Sequence, residues 1–344
     1  MSTAYKFHYN MNSTKKAIFA SVLLACLFNG RQADAQPGTD AQPRGGSGIV
    51  IEKYAPQSGS FPACTHIDHS GKVEIVTSGD RLFYRADSKS PFRQSPISVL
   101  ADAHAVVFNP IEKRFYATDT GNHRLITFAD PASDQWDDFA TSLAGVKLQR
   151  PHDIVCDAAT GWMYALNPNS GQVFRFMGSG SSVSVLDLSK HLGYSRALTI
   201  SDGTLYVVGS SHGVVVEVTD FEKQEFEIHS SFGKKTNAVA GSWQGTGLVP
   251  NDVDFYQGYW YATSYFCPTC AGEHNCDEHK FIRFKTWRDF KDGTWEDLSH
   301  LLPGKVVPYF LTPHSKGLDI GVFSHETRGA SACIYRLTTA TTAQ

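Results

Sequence analysis

Four stretches of this chain repeat one pattern: a polar residue, a β-rich run, a tight turn, a second run, another turn and a third run. They begin at His104 (HAVVFNPIEKRFYATDTGNHRLITF), His152 (HDIVCDAATGWMYALNPNSGQVFRF), Arg196 (RALTISDGTLYVVGSSHGVVVEV) and Asn251 (NDVDFYQGYWYATSYF). The starts lie 48, 44 and 55 residues apart, near the period of about 40–50 residues of four-stranded propeller blades. Within each copy apolar residues alternate at period two (Phe115 and Ala117, Met163 and Ala165, Leu205 and Val207, Trp260 and Ala262). A strand half buried between two neighbouring sheets needs that alternation. Asp202-Gly203, Gln257-Gly258, Thr160-Gly161 and Gly121-Asn122 supply the turns, and segments such as 183–188 and 225–230 supply a fourth, outer strand.

Two degenerate copies complete the count. One starts near Ala63 with an outer strand over 95–100, and the other runs from Pro308. The last copy holds three strands, whereas 48–54 (GIVIEKY) is a strand without a blade. The expected fold is therefore all-β: a single six-bladed β-propeller over residues 48–340, its ring closed by the N-terminal strand joining the last blade, because an open ring would expose sheet edges. No long 3.6-period segment separates the strands, which argues against doubly wound α/β folds. The composition agrees, with 29 Gly and 15 Pro in 344 residues and only 19% charged.

The start of the chain reads as an export signal. Lys15 and Lys16 flank an apolar run over 17–28, and Ala33-Asp34-Ala35 before Gln36 fits the small-x-small cleavage pattern. The run is shorter than the about 20 residues a membrane helix needs, and no later stretch is apolar enough to span. Lipoprotein anchoring at Cys26 is the rival expectation. Residues 36–47 form a Pro/Gly/Gln linker, expected to be disordered. A net charge of −3 without a basic block argues against a nucleic-acid partner.

The segment Asp119-Thr120-Gly121-Asn122-His123-Arg124-Leu125 resembles the core of an NHL repeat. Pro151-His152-Asp153-Ile154-Val155 resembles the segment that supplies a zinc-binding histidine in peptidyl-hydroxyglycine amidating lyases. Pro250-Asn251-Asp252-Val253 is similar to the metal-binding Pro-Asn segment of gluconolactonase/regucalcin-type propellers. The resemblance implies a six-bladed propeller with a metal near its channel mouth. Only His104 and His152 match the three zinc histidines of the lyase pattern, however, and Ala63 stands where the gluconolactonase pattern has its acidic first ligand.

Repeat phase brings the first residues of the inner strands together at one face: Ala63, His104, His152, Arg196, Asn251 and approximately Tyr309. His104, His152 and Asn251 are the expected ligands of a divalent metal, zinc by the imidazoles or calcium by the oxygens. Arg196 suits an anionic substrate, and Tyr309 suits proton transfer. Asp119, Asn122, His123, His212, His325, Glu326 and Arg328 are expected on the surrounding rim. An alternative metal cluster is Cys267, Cys270, His274, Cys276 and His279, a loop in blade five that after export is expected to hold a disulfide instead. Cys64, Cys156 and Cys333 read as small core residues, and the blade-five aromatics (Tyr256, Tyr259, Trp260, Tyr261, Tyr265, Phe266) mainly as packing. The basic/aromatic run 280–287 reads as a strand with one solvated face.

No GxSxG elbow or phosphate-binding glycine loop occurs. The residues leave open a metal-dependent lyase or hydrolase acting on a small or polymeric anionic substrate at the channel mouth, and a non-catalytic propeller gripping a protein or glycan around a structural ion. A scaffold without a ligand is the least favoured reading.

Overall fold

The computed structural model describes residues 48–63, 65–178, 180, 182–233, 247–264, 278–303, 306–323 and 332–339. Period-two alternation dominates what they form: six four-stranded antiparallel sheets, five of them running outward in chain order from an inner strand and the sixth taking its outer strand from the start of the chain. The inner strands are Thr65–Asp68, Val106–Asn109, Ile154–Cys156, Leu198–Ser201, Pro250–Tyr256 and Val307–His314. They touch in that sequence, and the sixth touches the first. The protein is a six-bladed β-propeller.

Each strand serves two cores at once. Phe115 and Ala117 pack with Ile75 and Leu82 between blades one and two, while Tyr116 between them packs with Met163 and Phe174 on the far side. Val207 faces Leu186 and Leu188 of blade three, and Tyr206 and Val208 face Val253 and Trp260 of blade five. Six such clusters fill the six seams among the described residues. Burying both faces of every blade removes apolar area at about 25 cal/mol per Å².

Hydroxyls stitch the seams near the axis. Thr77 donates to the His104 carbonyl, Thr120 to that of Pro151, Ser195 to that of Pro168, Thr199 to that of Val253, Thr263 to that of Tyr309 and Thr312 to that of Ile67. Every pair of neighbouring blades has one of these bonds. Asp153 and Asp252 add a second tie. Each carboxylate accepts from the backbone N–H of the following residue and from an inner strand of the next blade, at Leu198 and Leu311.

Closure falls between blades six and one. Strand Ile49–Ala55 pairs antiparallel with Cys333–Thr339, in register from Ile49 opposite Thr339, and completes blade six as its outer strand. A buried ionic knot lies under it. Arg336 forks onto Asp319 at 2.6 and 2.8 Å, His69 Nε2 sits 2.6 Å from the same carboxylate, and Arg85 and Tyr54 hold Glu74. Burial alone would lower the His69 pKa, but Asp319 and Glu74 outweigh it and hold the imidazole up at about 8.

Two segments differ from the sequence expectation. The outer strand of blade one is only Arg93–Gln94, because beyond it Ile97 and Leu100 turn into the core and Ser95 bonds the Pro131 carbonyl. The run 280–287 is strand only over Phe281–Phe284. A capping box on Thr286 and Asp289 then starts a helix, Trp287–Asp292, and Lys280 is buried.

Gly321 marks how tightly the ring closes. A Cβ there would lie 2.2 Å from the Thr65 carbonyl oxygen of blade one, a backbone atom that cannot rotate away. Gly321→Ala is expected to cost about 1–3 kcal/mol by overpacking, read as a lower urea midpoint than that of the parent.

Candidate functional site at the inner-strand starts

Four of the six expected ring residues form one connected group. The His104 and His152 rings lie 4.3 Å apart between centroids. The Tyr309 hydroxyl is 3.2 Å from His152 Nε2 and accepts from Arg196 Nη1. They come from four different blades, the second, third, fourth and sixth, so only ring closure brings them together. His152, Arg196 and Tyr309 are buried and His104 is half-buried, which makes His104 the member nearest solvent.

The proton positions follow from the partners. Arginine only donates, so the Tyr309 oxygen accepts from Arg196, and the same hydroxyl shares a hydrogen bond with His152 Nε2. The other His152 nitrogen, Nδ1, is buried without a hydrogen-bond partner. His104 Nδ1 donates to the Asp102 carbonyl at 2.9 Å, with Thr120 Oγ1 at 3.1 Å, which leaves an Nε2 lone pair. Burial holds both imidazoles below the ordinary histidine range. For His152, well below it, the neighbouring His104 and Arg196 add to the effect; for His104 the charge of Asp102 partly opposes it.

Tyr194, Phe310 and His66 frame this group and were not singled out in the sequence. Tyr194 and Phe310 lie 6.2 and 6.0 Å from the His152 ring, and His66 stands edge-on to Phe310 at 5.3 Å. The Arg196 guanidinium lies over the Tyr194 ring at 5.1 Å. Burial drives the His66 pKa down to about 4. The only sequence signal for these three is adjacency to Arg196, Tyr309 and the start of blade one.

The other expected positions fall elsewhere. Asn251 is buried, donates to the Pro308 carbonyl at 3.1 Å, and keeps an unpartnered Oδ1; no ring contact or hydrogen bond described here joins it to either histidine. Ala63 lies against Ser78 and accepts its hydroxyl. Asp119 is not a rim residue. It is fully buried, and its oxygens take the Ala101 N–H, Asn122 and Arg124, so the NHL-like segment ties its own turn. His123 and His212 are exposed, one accepting from the Arg150 N–H and the other 2.7 Å from the His191 carbonyl.

His325, Glu326, Arg328, Cys64, Cys267, Cys270, His274, Cys276, Tyr265 and Phe266 lie outside the described residues. His279, the described member of the cysteine-loop cluster, accepts from Trp295 Nε1 at 3.1 Å. Cys156 and Cys333 are free thiols, half-buried and buried. In blade five Trp260 and Tyr261 are core residues, and Arg283 covers Tyr259 at 4.4 Å.

No protein-family model matches the sequence, and no curated protein matches it. Solved structures share the fold. A structure described as a putative gluconolactonase superposes with TM-score 0.58 at 14% identity, over 85% of this chain and 92% of its own. A streptogramin B lyase gives 0.55 at 11%, over 84% and 97%. The nidogen/laminin complex gives 0.51 at 11%, over 80% and 85%. At these identities the likeness is one of fold alone.

The depressed histidines set a pH dependence of stability. A folded-state pKa below the unfolded value of about 6.5 means that the unfolded chain binds more protons, so stability falls as pH drops below about 6.5. The double variant His104→Gln/His152→Gln should lose less of its urea midpoint between pH 7 and pH 5 than the parent does.

Proposed function

We propose that the group at the inner-strand starts binds a small anionic molecule and performs lyase- or hydrolase-type proton transfer on it. Support comes from one observation, the hydrogen-bond chain from Arg196 through Tyr309 to a neutral His152. In this reading Arg196 anchors the carboxylate or equivalent anion of the ligand. Tyr309 is the acid–base residue, its hydroxyl placed between a fixed positive charge and an imidazole. His152, kept unprotonated by burial, holds the tyrosyl oxygen in place without competing for its proton, and the Arg196 charge stabilises the phenolate left when the ligand takes that proton. His104, nearest solvent, meets the ligand first.

A divalent metal is the sequence expectation for the same place. His104 offers a free lone pair on Nε2, whereas His152 Nε2 is already paired with the Tyr309 hydroxyl and Asn251 joins neither ring. As arranged, these atoms favour moving a proton over forming a three-ligand centre, and no step here runs through a cation. The competing class, a protein- or glycan-binding propeller without chemistry, rests on the shared fold.

Isothermal titration against lactate, gluconate and citrate, with elemental analysis of the same sample, tests this. Binding that Arg196→Gln weakens at least tenfold and Tyr309→Phe leaves within a few-fold supports the anion site. Elimination or hydrolysis of a bound ligand that falls roughly 10²–10⁴-fold in Tyr309→Phe supports the chemistry. Stoichiometric metal lost in His104→Ala would replace the proton reading by the metal one, and no binding of any anion would leave the binding-module class. We further propose that residues 1–35 direct export. The mature chain should begin at Gln36, read by intact mass after expression in a secreting host.

A further inference from the structure

A second cluster of donor atoms lies away from the inner-strand starts, on the outer part of blade four. Glu217 in strand Val214–Asp220 stands directly opposite Glu227 in the outer strand Glu225–Ser230. His229 follows two residues after Glu227 on the same face, and its Nε2 is 2.8 Å from Glu217 Oε2. One ligand atom from each of the three lies within 4.8 Å of the others.

Two of these side chains are already oriented. The His229 ring stacks on Trp287 of the neighbouring blade at 4.5 Å and 3°, which fixes the direction of Nε2. Tyr206 stands directly opposite Glu217 in the neighbouring strand, and Tyr206 itself packs on Trp260 and Trp287. Supported first ligands of this kind are what a metal site needs. Like charges directly opposite in a strand pair are unfavourable, so Glu217 and Glu227 leave a negative excess beside an imidazole.

A rival cluster, His69, His314 and Asp319 under the closing strand, is also close enough to ligate. There, His314 Nδ1 accepts from the Lys316 N–H, which puts its proton on the Nε2 that faces Asp319, and Arg336 occupies both oxygens of that carboxylate. That cluster is saturated with protons and positive charge. Blade four is not.

We propose that Glu217, Glu227 and His229 form a binding site for a divalent transition cation, zinc by donor type, on the blade-four edge beside Trp287. One imidazole nitrogen and two carboxylate oxygens make a three-ligand set for zinc, with remaining positions filled by water or by a ligand of the cation. The cation would take the place of the proton between His229 and Glu217. The site is independent of the acid–base reading of the inner-strand starts.

Zinc chloride titrated calorimetrically into the metal-free mature protein, followed by Trp fluorescence quenching with Cu²⁺, tests the assignment. Saturable binding is expected, with Kd raised at least tenfold by His229→Ala and by Glu227→Gln and unchanged by His104→Gln/His152→Gln. Glu227 is exposed, so Glu227→Gln keeps the fold where His229→Ala, which removes the Trp287 stack, fails to. Absence of zinc binding, or binding that survives both blade-four substitutions, overturns the proposal. Binding lost only in the His104/His152 variant overturns it as well and moves the metal to the inner-strand starts, so the two sites are read separately.

Discussion

Everything in this molecule depends on each blade packing on both of its faces. A four-stranded antiparallel sheet with two apolar faces has no stable existence alone, and it finds cover here only because its neighbours stand on both sides. Tyr116 and Phe115, adjacent in one strand, belong to different cores. The arrangement is satisfied for every blade only when the last meets the first. The seam between blades six and one therefore carries the contact of Gly321 with the Thr65 backbone and the Asp319–His69–Glu74 knot, beside the pairing of Ile49–Ala55 with Cys333–Thr339 that completes blade six.

Closure is also what produces the candidate site. His104, His152, Arg196 and Tyr309 are far apart in the chain and share only their phase within the repeat. The ring converts that phase into contact, and the packing that closes it excludes water. Dehydration keeps both imidazoles neutral and makes the Arg196–Tyr309–His152 chain a strongly polarised one, since hydrogen bonds gain strength where water cannot compete. The same dehydration raises buried carboxylates, Asp153 up to about 7 and Asp252 well above its usual range, although each accepts two backbone N–H groups.

Repeat phase was legible in the sequence because strand alternation and turn residues are local signals. It gave six blades, the closing strand and the residues at the inner-strand starts. What it did not give are facts about side-chain direction. Asp119 and Asn251 sit at or near expected positions, but one turns inward to hold Arg124 and the other reaches for the Pro308 carbonyl. The Thr286 capping box was present in the sequence but overshadowed by the alternation of 280–287. The Glu217–Glu227–His229 cluster depends on strand register, which the hairpin turn and a bulge between Val218 and Asp220 decide, and no single-residue pattern reveals it.

The two places with unspent chemistry are connected through blade four. Its inner end begins at Arg196, whose N–H is bonded to the Val208 carbonyl. Its outer part holds Glu217 and His229, and Tyr206, two residues before Val208, stands opposite Glu217 in the neighbouring strand. A cation at the outer edge would fix Glu217, Tyr206 and the Trp287 stack without touching the strand that carries Arg196. A propeller blade is stiff along its strands and is bounded by a separate core on each face, so such fixing stays within the seam between blades four and five. Coupling to the Tyr309–His152 pair would require that seam to shift as a body, and the Thr199 and Ser210 hydroxyls bonded to the Val253 and Pro250 carbonyls oppose such a shift.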